Sequence, residues 1–262
     1  MERRDFLKTA AAGAAFSGLT LGQATAQQPQ REFYELRTYE MQTGNRKAVL
    51  NNYLERAAIP AWNRLGIKPV GVFSVVYGAI GLNLYVLIPY PTLDAFLTAP
   101  EKLAADSEYQ KTAAEYLGSS IDNPAYTRYE STLLWAFKRI PKLLLPAETA
   151  GNRPRLFELR CYESHSEAMA SRKIEMFNDG GEMALFDKLG IRSVFFGQTL
   201  IGPRQPNLVY MVVHQDMPAR DRVWDAFGKS DEWNKLRNEP KYLNVVSAIE
   251  VKFLRPAAYS QI

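Results

Sequence analysis

The sequence predicts an α+β fold in which two ferredoxin-like βαββαβ units follow one another and pack sheet to sheet, giving an α+β barrel with approximate twofold symmetry. The first observation is a repeated hexapeptide: residues 35–40 (ELRTYE) return at 158–163 (ELRCYE), with five of six positions identical. The second is that further matches keep an offset of 124 residues. The third is that strand-like and helix-like segments alternate in the same order in each copy. A constant offset indicates one folding unit duplicated in tandem.

The further matches join short motifs in the two copies. They are Leu65-Gly66-Ile67 with Leu189-Gly190-Ile191, Gly78 with Gly202, Asn83 with Asn207, and Tyr109 with Trp233.

The first copy reads in order as βαββαβ. Alternating polarity predicts a strand over 33–39, and helical spacing of apolar residues predicts a helix over 44–65 that ends at Gly66. β-Branched and aromatic residues predict strands over 70–76 and 84–88, on either side of a turn at 78–81. A helix over 93–117, interrupted near Pro100, and a strand over 126–137 complete the unit.

The second copy repeats this order. We expect strands over 156–162, 193–198, 208–214 and 245–254, and helices over 166–189 and 219–236. Ser164 and Glu167 have the spacing of a capping box for the first of these helices. A match of residues 94–96 with 225–227 (both DAF) places about one extra helical turn of the first copy around Pro100.

A βαββαβ unit forms a four-stranded antiparallel sheet with both helices on one face, which leaves the other face bare. Two copies in one chain can cover each other's bare faces, so we expect a double sheet or barrel with the helices outside. The predicted domains are residues 33–139 and 155–262. Between them, residues 140–154 hold three prolines and a Gly-Asn pair and are predicted to be a linker.

The N-terminus predicts export. Residues 3–8 (RRDFLK) resemble the twin-arginine export motif, a weakly apolar stretch follows over 9–21, and Ala24-Thr25-Ala26 is a small-x-small cleavage site. We expect a signal peptide over 1–26, a tether over 27–32, and a periplasmic or otherwise exported protein. The alternative is an Ala-rich terminal helix. No later apolar run approaches the roughly 18 residues that cross a bilayer, so no membrane span is expected in the mature chain.

Composition narrows the function classes. The chain has 262 residues, with 32 basic and 28 acidic side chains interspersed, so no nucleic-acid partner is expected. Its two histidines and single cysteine have no metal-ligand spacing, and no metal site is predicted. The phosphate-binding, dinucleotide-binding and nucleophile-elbow motifs are absent from the sequence.

The opening residues 34–39 (YELRTY), the motif at 65–67, the Gly78…Asn83 turn, residues 129–131 (YES) and the ending at 250–260 resemble the NIPSNAP family. The resemblance covers essentially all of residues 33–260. It implies a ferredoxin-like fold of the dimeric α+β barrel superfamily, which also includes cofactor-free monooxygenases and haem-handling proteins. It supplies no catalytic residues, and it implies that a homo-oligomer is possible.

The candidate ligand-binding residues lie on the first strand of each copy. Arg37 and Tyr39 share one strand face with Glu35, and Arg160 and Tyr162 share the equivalent face with Glu158. One reading is a Glu–Arg network that sets the register of the two sheets. The other is a floor on which an arginine binds a carboxylate or enolate. Both readings stay open at this point.

His214, at the end of a strand, is a further candidate. It is either a satisfied histidine at the barrel edge, or a general base or axial haem ligand. Cys161 is expected to be a small buried residue rather than a nucleophile. Pro60 and the Gly180-Gly181 pair weaken the same helix in both copies. The weakened helix either accommodates bulky neighbouring side chains or leaves an entrance to a pocket between helix and sheet.

Two function classes follow. The chain is either a module that binds a small organic or anionic ligand or a partner protein, or a cofactor-independent or haem-dependent monooxygenase or isomerase. The absence of a convergent acid–base set favours the binding module. The cofactor stays undetermined: haem is an option of the superfamily that no residue pattern in the sequence supports.

Overall fold

The computed structural model describes residues 30–41, 46–77, 82–149 and 155–262. The predicted signal peptide, the first half of the tether, the turn at 78–81 and the end of the predicted linker lie outside these ranges. No helix among the described residues is long and apolar enough to cross a membrane.

Eight strands and their helices follow one another in the predicted order, βαββαβ twice. The strands are β1 Phe33–Met41, β2 Gly71–Tyr77, β3 Leu82–Tyr90, β4 Arg128–Ala136, β5 Leu156–Glu163, β6 Arg192–Ile201, β7 Asn207–His214 and β8 Ala248–Pro256. The helices are α1 Arg46–Tyr53, α2 Ile59–Arg64, α3 Leu93–Ala105, α4 Ser107–Thr112, α5 Ala114–Leu117, α6 Glu167–Asn178, α7 Glu182–Leu189, α8 Met217–Lys229 and α9 Asp231–Arg237.

The strands form one closed barrel in the order β1-β3-β2-β8-β5-β7-β6-β4, and β4 pairs back onto β1. Each copy keeps the ferredoxin-like order. The copies join edge to edge where β2 pairs with β8 and β4 pairs with β6, all antiparallel. Every strand therefore has two neighbours, and no backbone edge is left unpaired. The predicted fold class, an α+β barrel built from two tandem units, is confirmed.

The closed barrel and its helices enclose three large hydrophobic cores. One fills the barrel interior, where Tyr34, Phe73, Phe157 and Phe195 are each fully buried. The other two lie outside the barrel, between each copy's sheet and its helices. Alternate residues of β1 and β5 therefore point either into the barrel or under the helices, and both directions lead into packed side chains.

The first helix of each copy is interrupted at the same height, as predicted. In the first copy a π-helical segment, Leu54–Ala58, separates α1 from α2, and Pro60 lies in the first turn of α2, directly after it. In the second copy Gly181, with a φ of +99°, separates α6 from α7. Only a residue without Cβ adopts such a φ without strain.

Both interrupted helices end as the sequence predicts. Gly66 and Gly190 have φ values of +76° and +79°. The N–H of Ile67 donates to Trp62 O at 2.9 Å, and that of Ile191 donates to Phe186 O at 2.9 Å, which is the six-to-one bond of a Schellman motif.

Two local predictions are wrong. Ser164 does not cap α6: its Oγ donates to Val245 O at 2.6 Å, and Ser166 caps the helix instead by accepting from the Met169 N–H. Pro100 does not interrupt α3. The helix continues through it and ends at Asp106, whose side chain caps α4 by accepting from the Tyr109 N–H.

The extra length of the first copy also lies elsewhere than predicted. The helices α3 and α8 both have 13 residues, and their caps, Thr92 and Asp216, keep the offset of 124. The DAF match is therefore out of structural register. The first copy instead carries an additional short helix, α5, after α4.

Candidate functional site

The first copy's predicted trio lies under the helices. Tyr39 belongs to the core between β1 and the helices, and Glu35 is 3% exposed. Arg37 donates to Glu35 through Nε at 2.5 Å and Nη2 at 3.0 Å. The hydroxyls of Tyr90 and Ser131 donate to the same carboxylate at 3.0 and 2.7 Å. The Glu–Arg network is real, but it faces the helices and does not lie between the two sheets. The prediction that it sets the register of the sheets is therefore wrong.

In this geometry the guanidinium of Arg37 is engaged by the carboxylate of Glu35. Burial by itself lowers the pKa of Arg37, but the charge of the Glu35 carboxylate outweighs burial, so the pKa lies well above its ordinary value. The two-pronged contact uses the fork of the guanidinium against both carboxylate oxygens. A guanidinium held in this way is a structural element rather than an anion-binding floor.

In the second copy, Glu158 is fully buried and has a different set of partners. Trp224 Nε1 donates at 2.8 Å, Arg220 donates through Nε and Nη2 at 3.2 Å each, and His214 Nε2 lies 3.1 Å from Oε2. Burial raises the pKa of this carboxyl, but the hydrogen bonds from His214 and Arg220 outweigh burial and lower the pKa to about 2. Glu158 is therefore ionised at neutral pH, and His214 donates to it.

Arg160 consequently occupies a looser position than Arg37. Its Nε lies 3.5 Å from Glu158 Oε1, is buried, and makes no hydrogen bond within the described residues. The guanidinium lies 4.3 Å from the centre of the Trp224 ring, a cation–π contact, and 5.5 Å from that of Tyr162. The two copies have therefore diverged at this arginine.

The sequence did not identify Arg220 and Trp224 as partners of Glu158. They lie four residues apart on α8 and so share one helix face. Their counterparts in α3, at the offset of 124, are Phe96 and Pro100, which cannot donate hydrogen bonds from their side chains. His214 has Tyr90 as its counterpart, and both reach the equivalent glutamate. His214 is 4% exposed, as expected for a satisfied histidine.

A second polar cluster lies under the helices of this copy. Lys173 Nζ donates to Glu182 Oε2 at 2.6 Å, and the two side chains are 3% and 2% exposed. Burial lowers the pKa of Lys173 and raises that of Glu182, while the mutual contact opposes both shifts. Among the described residues, no group of three or more His, Cys, Asp or Glu could hold a metal ion.

One cavity lies at one end of the barrel interior and measures about 650 Å³. We call it the barrel mouth. Inward-facing residues of six strands and the β6–β7 turn form it, and among them are Leu36, Thr38, Glu40, Tyr85, Glu130, Thr132, Leu159, Cys161, Arg204, Val209, Glu250 and Lys252. Small-molecule sites in proteins measure about 300–1,000 Å³ and combine apolar walls with a few polar groups. The barrel mouth has both properties.

Cys161 lines this cavity and is only partly buried, whereas the sequence predicted a buried residue. Burial raises the pKa of its thiol to about 11, so the thiol is protonated at neutral pH and reacts slowly as a nucleophile. A second cavity, of about 910 Å³, lies between the ends of β2, β5, β7 and β8. Neither cavity lies in the predicted position between the interrupted helices and the sheet.

The fold and this layout define the class: an α+β barrel with both halves in one chain. A family model described as NIPSNAP matches residues 34–123 and 157–261. The chain belongs to the NIPSNAP family.

Two solved structures, each with a TM-score above 0.5, show the same fold at low identity. A candidate monooxygenase from Lactobacillus acidophilus is 11% identical, with a TM-score of 0.53 over 86% of this chain and 94% of that one. A candidate monooxygenase from Fusobacterium nucleatum is 9% identical, with a TM-score of 0.53 over 87% and 93%. A NIPSNAP-like domain protein from Burkholderia xenovorans is 22% identical, with a TM-score of 0.37 over 42% and 90%. A search of curated proteins gives no match.

Proposed function

We propose that this protein is a non-catalytic, small-ligand-binding barrel whose ligand occupies the barrel mouth. The observation that carries this proposal is the cavity of about 650 Å³ at the end of the barrel interior, lined by six strands from both copies. Below it the interior is filled by aromatic and aliphatic side chains, so a ligand would rest on a closed floor. Rigid strands hold every wall except the β6–β7 turn, as a preformed binding site requires.

The spaces under the helices support ligand binding less well. Arg37 is held by Glu35, and Glu158 is surrounded by donors from α8 and β7. These contacts leave Arg160 as the arginine with the weaker attachment, so the binding of an anion under the helices is a prediction for the second copy alone.

Cys161 provides a direct test, because it is the single cysteine of the chain and lines the barrel mouth. The rate of its alkylation by N-ethylmaleimide should fall when a compound fills the cavity. Denaturing mass spectrometry of the purified protein should identify any small molecule that accompanies it. Cys161→Thr introduces the residue that the first copy has at the equivalent position, Thr38. This variant should not be labelled and is the control for labelling specificity. If no compound of a broad library of small organic molecules slows the alkylation of Cys161, the proposed binding site is refuted.

The second candidate function is a monooxygenase or isomerase, and the buried His214–Glu158 pair is the observation that favours it. Haem fits the chain poorly. His214 is buried with its Nε2 on Glu158, His165 is exposed ahead of α6, and neither lines the two cavities described above. An absorption spectrum of the purified protein decides this point, because bound haem gives an intense band in the visible range.

Export through the twin-arginine pathway is part of the proposal, supported by residues 3–8 and the cleavage triplet. Replacing Arg3 and Arg4 with lysine should leave the precursor in the cytoplasm, whereas the wild-type chain should yield a mature form beginning at Gln27. Normal processing of the double variant would contradict this. A homo-oligomer of whole barrels also stays a prediction, measured by size-exclusion chromatography with light scattering.

A further inference from the structure

The two copies place equivalent rows of side chains around the barrel mouth. In the first copy Tyr85, Thr38 and Glu130 are neighbours across β3, β1 and β4. In the second copy Val209, Cys161 and Glu250 are the equivalent neighbours across β7, β5 and β8. One row further out, Glu40 and Glu163 occupy equivalent positions beside Asn83 and Asn207. Each copy thus contributes two carboxylates at or beside the opening.

In the second copy both carboxylates have cationic partners. Arg204 Nη1 lies 3.2 Å from an oxygen of Glu163 and 3.2 Å from one of Glu250. Lys252 Nζ lies 2.6 Å from Glu250 and its side chain is only 15% exposed. This half of the opening is therefore electrically balanced by the protein itself.

In the first copy the equivalent carboxylates have no such partners. Glu40 and Glu130 make no ion pair with any described residue; Arg128, which lies directly opposite Glu40 on β4, donates instead to Thr127 O at 2.6 Å, and its single charge leaves one of the two carboxylates unbalanced. The sequence explains the difference: Arg204 corresponds to Ile80 at the offset of 124, and Lys252 corresponds to Thr132, which faces Leu36 as Lys252 faces Leu159. Ile80 lies outside the described residues. One side of the cavity consequently has an excess of negative charge.

The same side also offers an aromatic ring and an apolar floor. Tyr85 lies two strands from Glu130 across Thr38, a lateral separation of about 10 Å at ordinary strand spacing. Leu36 of the first copy and Leu159 and Val209 of the second copy contribute the apolar lining. A carboxylate and an aromatic ring about 10 Å apart in one cavity suit a cation that carries an apolar body.

We infer that the barrel mouth binds an organic ammonium compound, with the ammonium group between Glu40 and Glu130 and the apolar body directed toward Leu36, Tyr85 and Val209. This inference rests on the proposed ligand-binding function. An anion is disfavoured, because it would approach two unpaired carboxylates while both cations of the opening are already paired. A divalent metal is disfavoured too, because no cluster of three or more ligand side chains occurs in the described part of the chain.

The test compares three compounds of nearly equal size, 4-phenylbutylamine, 4-phenylbutanol and 4-phenylbutanoate, by calorimetric titration of the full chain and by protection of Cys161 against N-ethylmaleimide. The amine should bind at least tenfold more tightly than the alcohol, and the carboxylate should bind most weakly. Glu130→Gln should weaken amine binding at least tenfold and leave alcohol binding unchanged. Glu115→Gln, an exposed change of equal charge on α5, is the control and should have no effect.

The most direct comparison introduces the second copy's lysine into the first copy. Thr132→Lys places the second copy's cation beside Glu130, in a geometry that Lys252 and Glu250 already show to be compatible with the barrel. It should abolish the preference for the amine while Cys161 remains accessible. Equal protection of Cys161 by all three compounds would overturn the ammonium inference and leave the ligand-binding function standing. Binding of Ca²⁺ that is lost in Glu130→Gln would overturn it in favour of a metal site. Absence of protection by these and all library compounds would overturn both.

Discussion

Removing one member of the buried Lys173–Glu182 pair should destabilise the protein strongly, whereas removing both should not. The two side chains are 3% and 2% exposed and 2.6 Å apart, and Lys173 Nζ also lies 4.3 Å from the centre of the Phe177 ring. Either partner left alone would be a charge without a counter-ion in a desolvated position. The cost of breaking a buried pair is about 3–5 kcal/mol, or roughly 10 °C in Tm for a protein of this size.

The first copy shows why the double substitution should be tolerated. The positions that correspond to Lys173 and Glu182, at offsets of 123–124, are apolar there: Val49 or Leu50, and Ala58. Replacing the pair by Met and Leu conserves volume and removes both desolvation penalties together. We expect Lys173→Met/Glu182→Leu to lie within about 1 kcal/mol of the wild type.

The assay is urea unfolding at pH 7 of the wild type, both single variants and the double variant, compared as a thermodynamic cycle. Lys229→Met, which breaks an exposed pair with Asp225, is the control and should not move the midpoint. Since burial lowers the pKa of Lys173, the deficit of Glu182→Leu should shrink as the pH rises toward 10.5, where the buried lysine is neutral. A double variant as unstable as the sum of the single variants would refute this reasoning.

Two further predictions concern the glutamates under the helices. Arg37→Ala should lower the free energy of unfolding by about 3–5 kcal/mol, because it leaves Glu35 buried with hydroxyl donors alone. Arg160→Ala should lower it less, because Glu158 keeps its three other partners. Equal losses of Tm in the two variants would contradict this. Glu158, with a folded pKa of about 2 against an ordinary 4.5, should contribute about 3 kcal/mol above pH 4.5 that disappears as the pH falls toward 2. Glu158→Gln should lack this acid-dependent part in denaturant titrations from pH 6 to pH 2, and an unchanged pH profile would refute the assignment.

The sequence by itself determined the duplication, the order of the elements and several helix ends. These features are encoded locally or by repetition. Alternation of polarity, helical spacing and a glycine at the left-handed position each act within a few residues, and a second copy at a fixed offset confirms each reading. One of the two local errors has a tertiary cause and the other a local one. Ser164 fits a capping pattern but donates to Val245, and the interruption assigned to Pro100 lies at Asp106, where a side-chain cap is available.

Only the tertiary structure decided which partner each charged side chain meets. Arg37 and Arg160 lie in nearly identical hexapeptides, yet Arg37 binds its glutamate closely and Arg160 does not. The difference arises because Arg220 and Trp224 donate to Glu158 from a helix some sixty residues later in the chain. The barrel mouth depends on distant pairings in the same way: its six strands come from both copies, and its charge imbalance appears only once β1 pairs with β4 and β5 pairs with β8. Periodicity specifies which side of a strand a residue occupies, whereas the closure of the barrel specifies what faces it there.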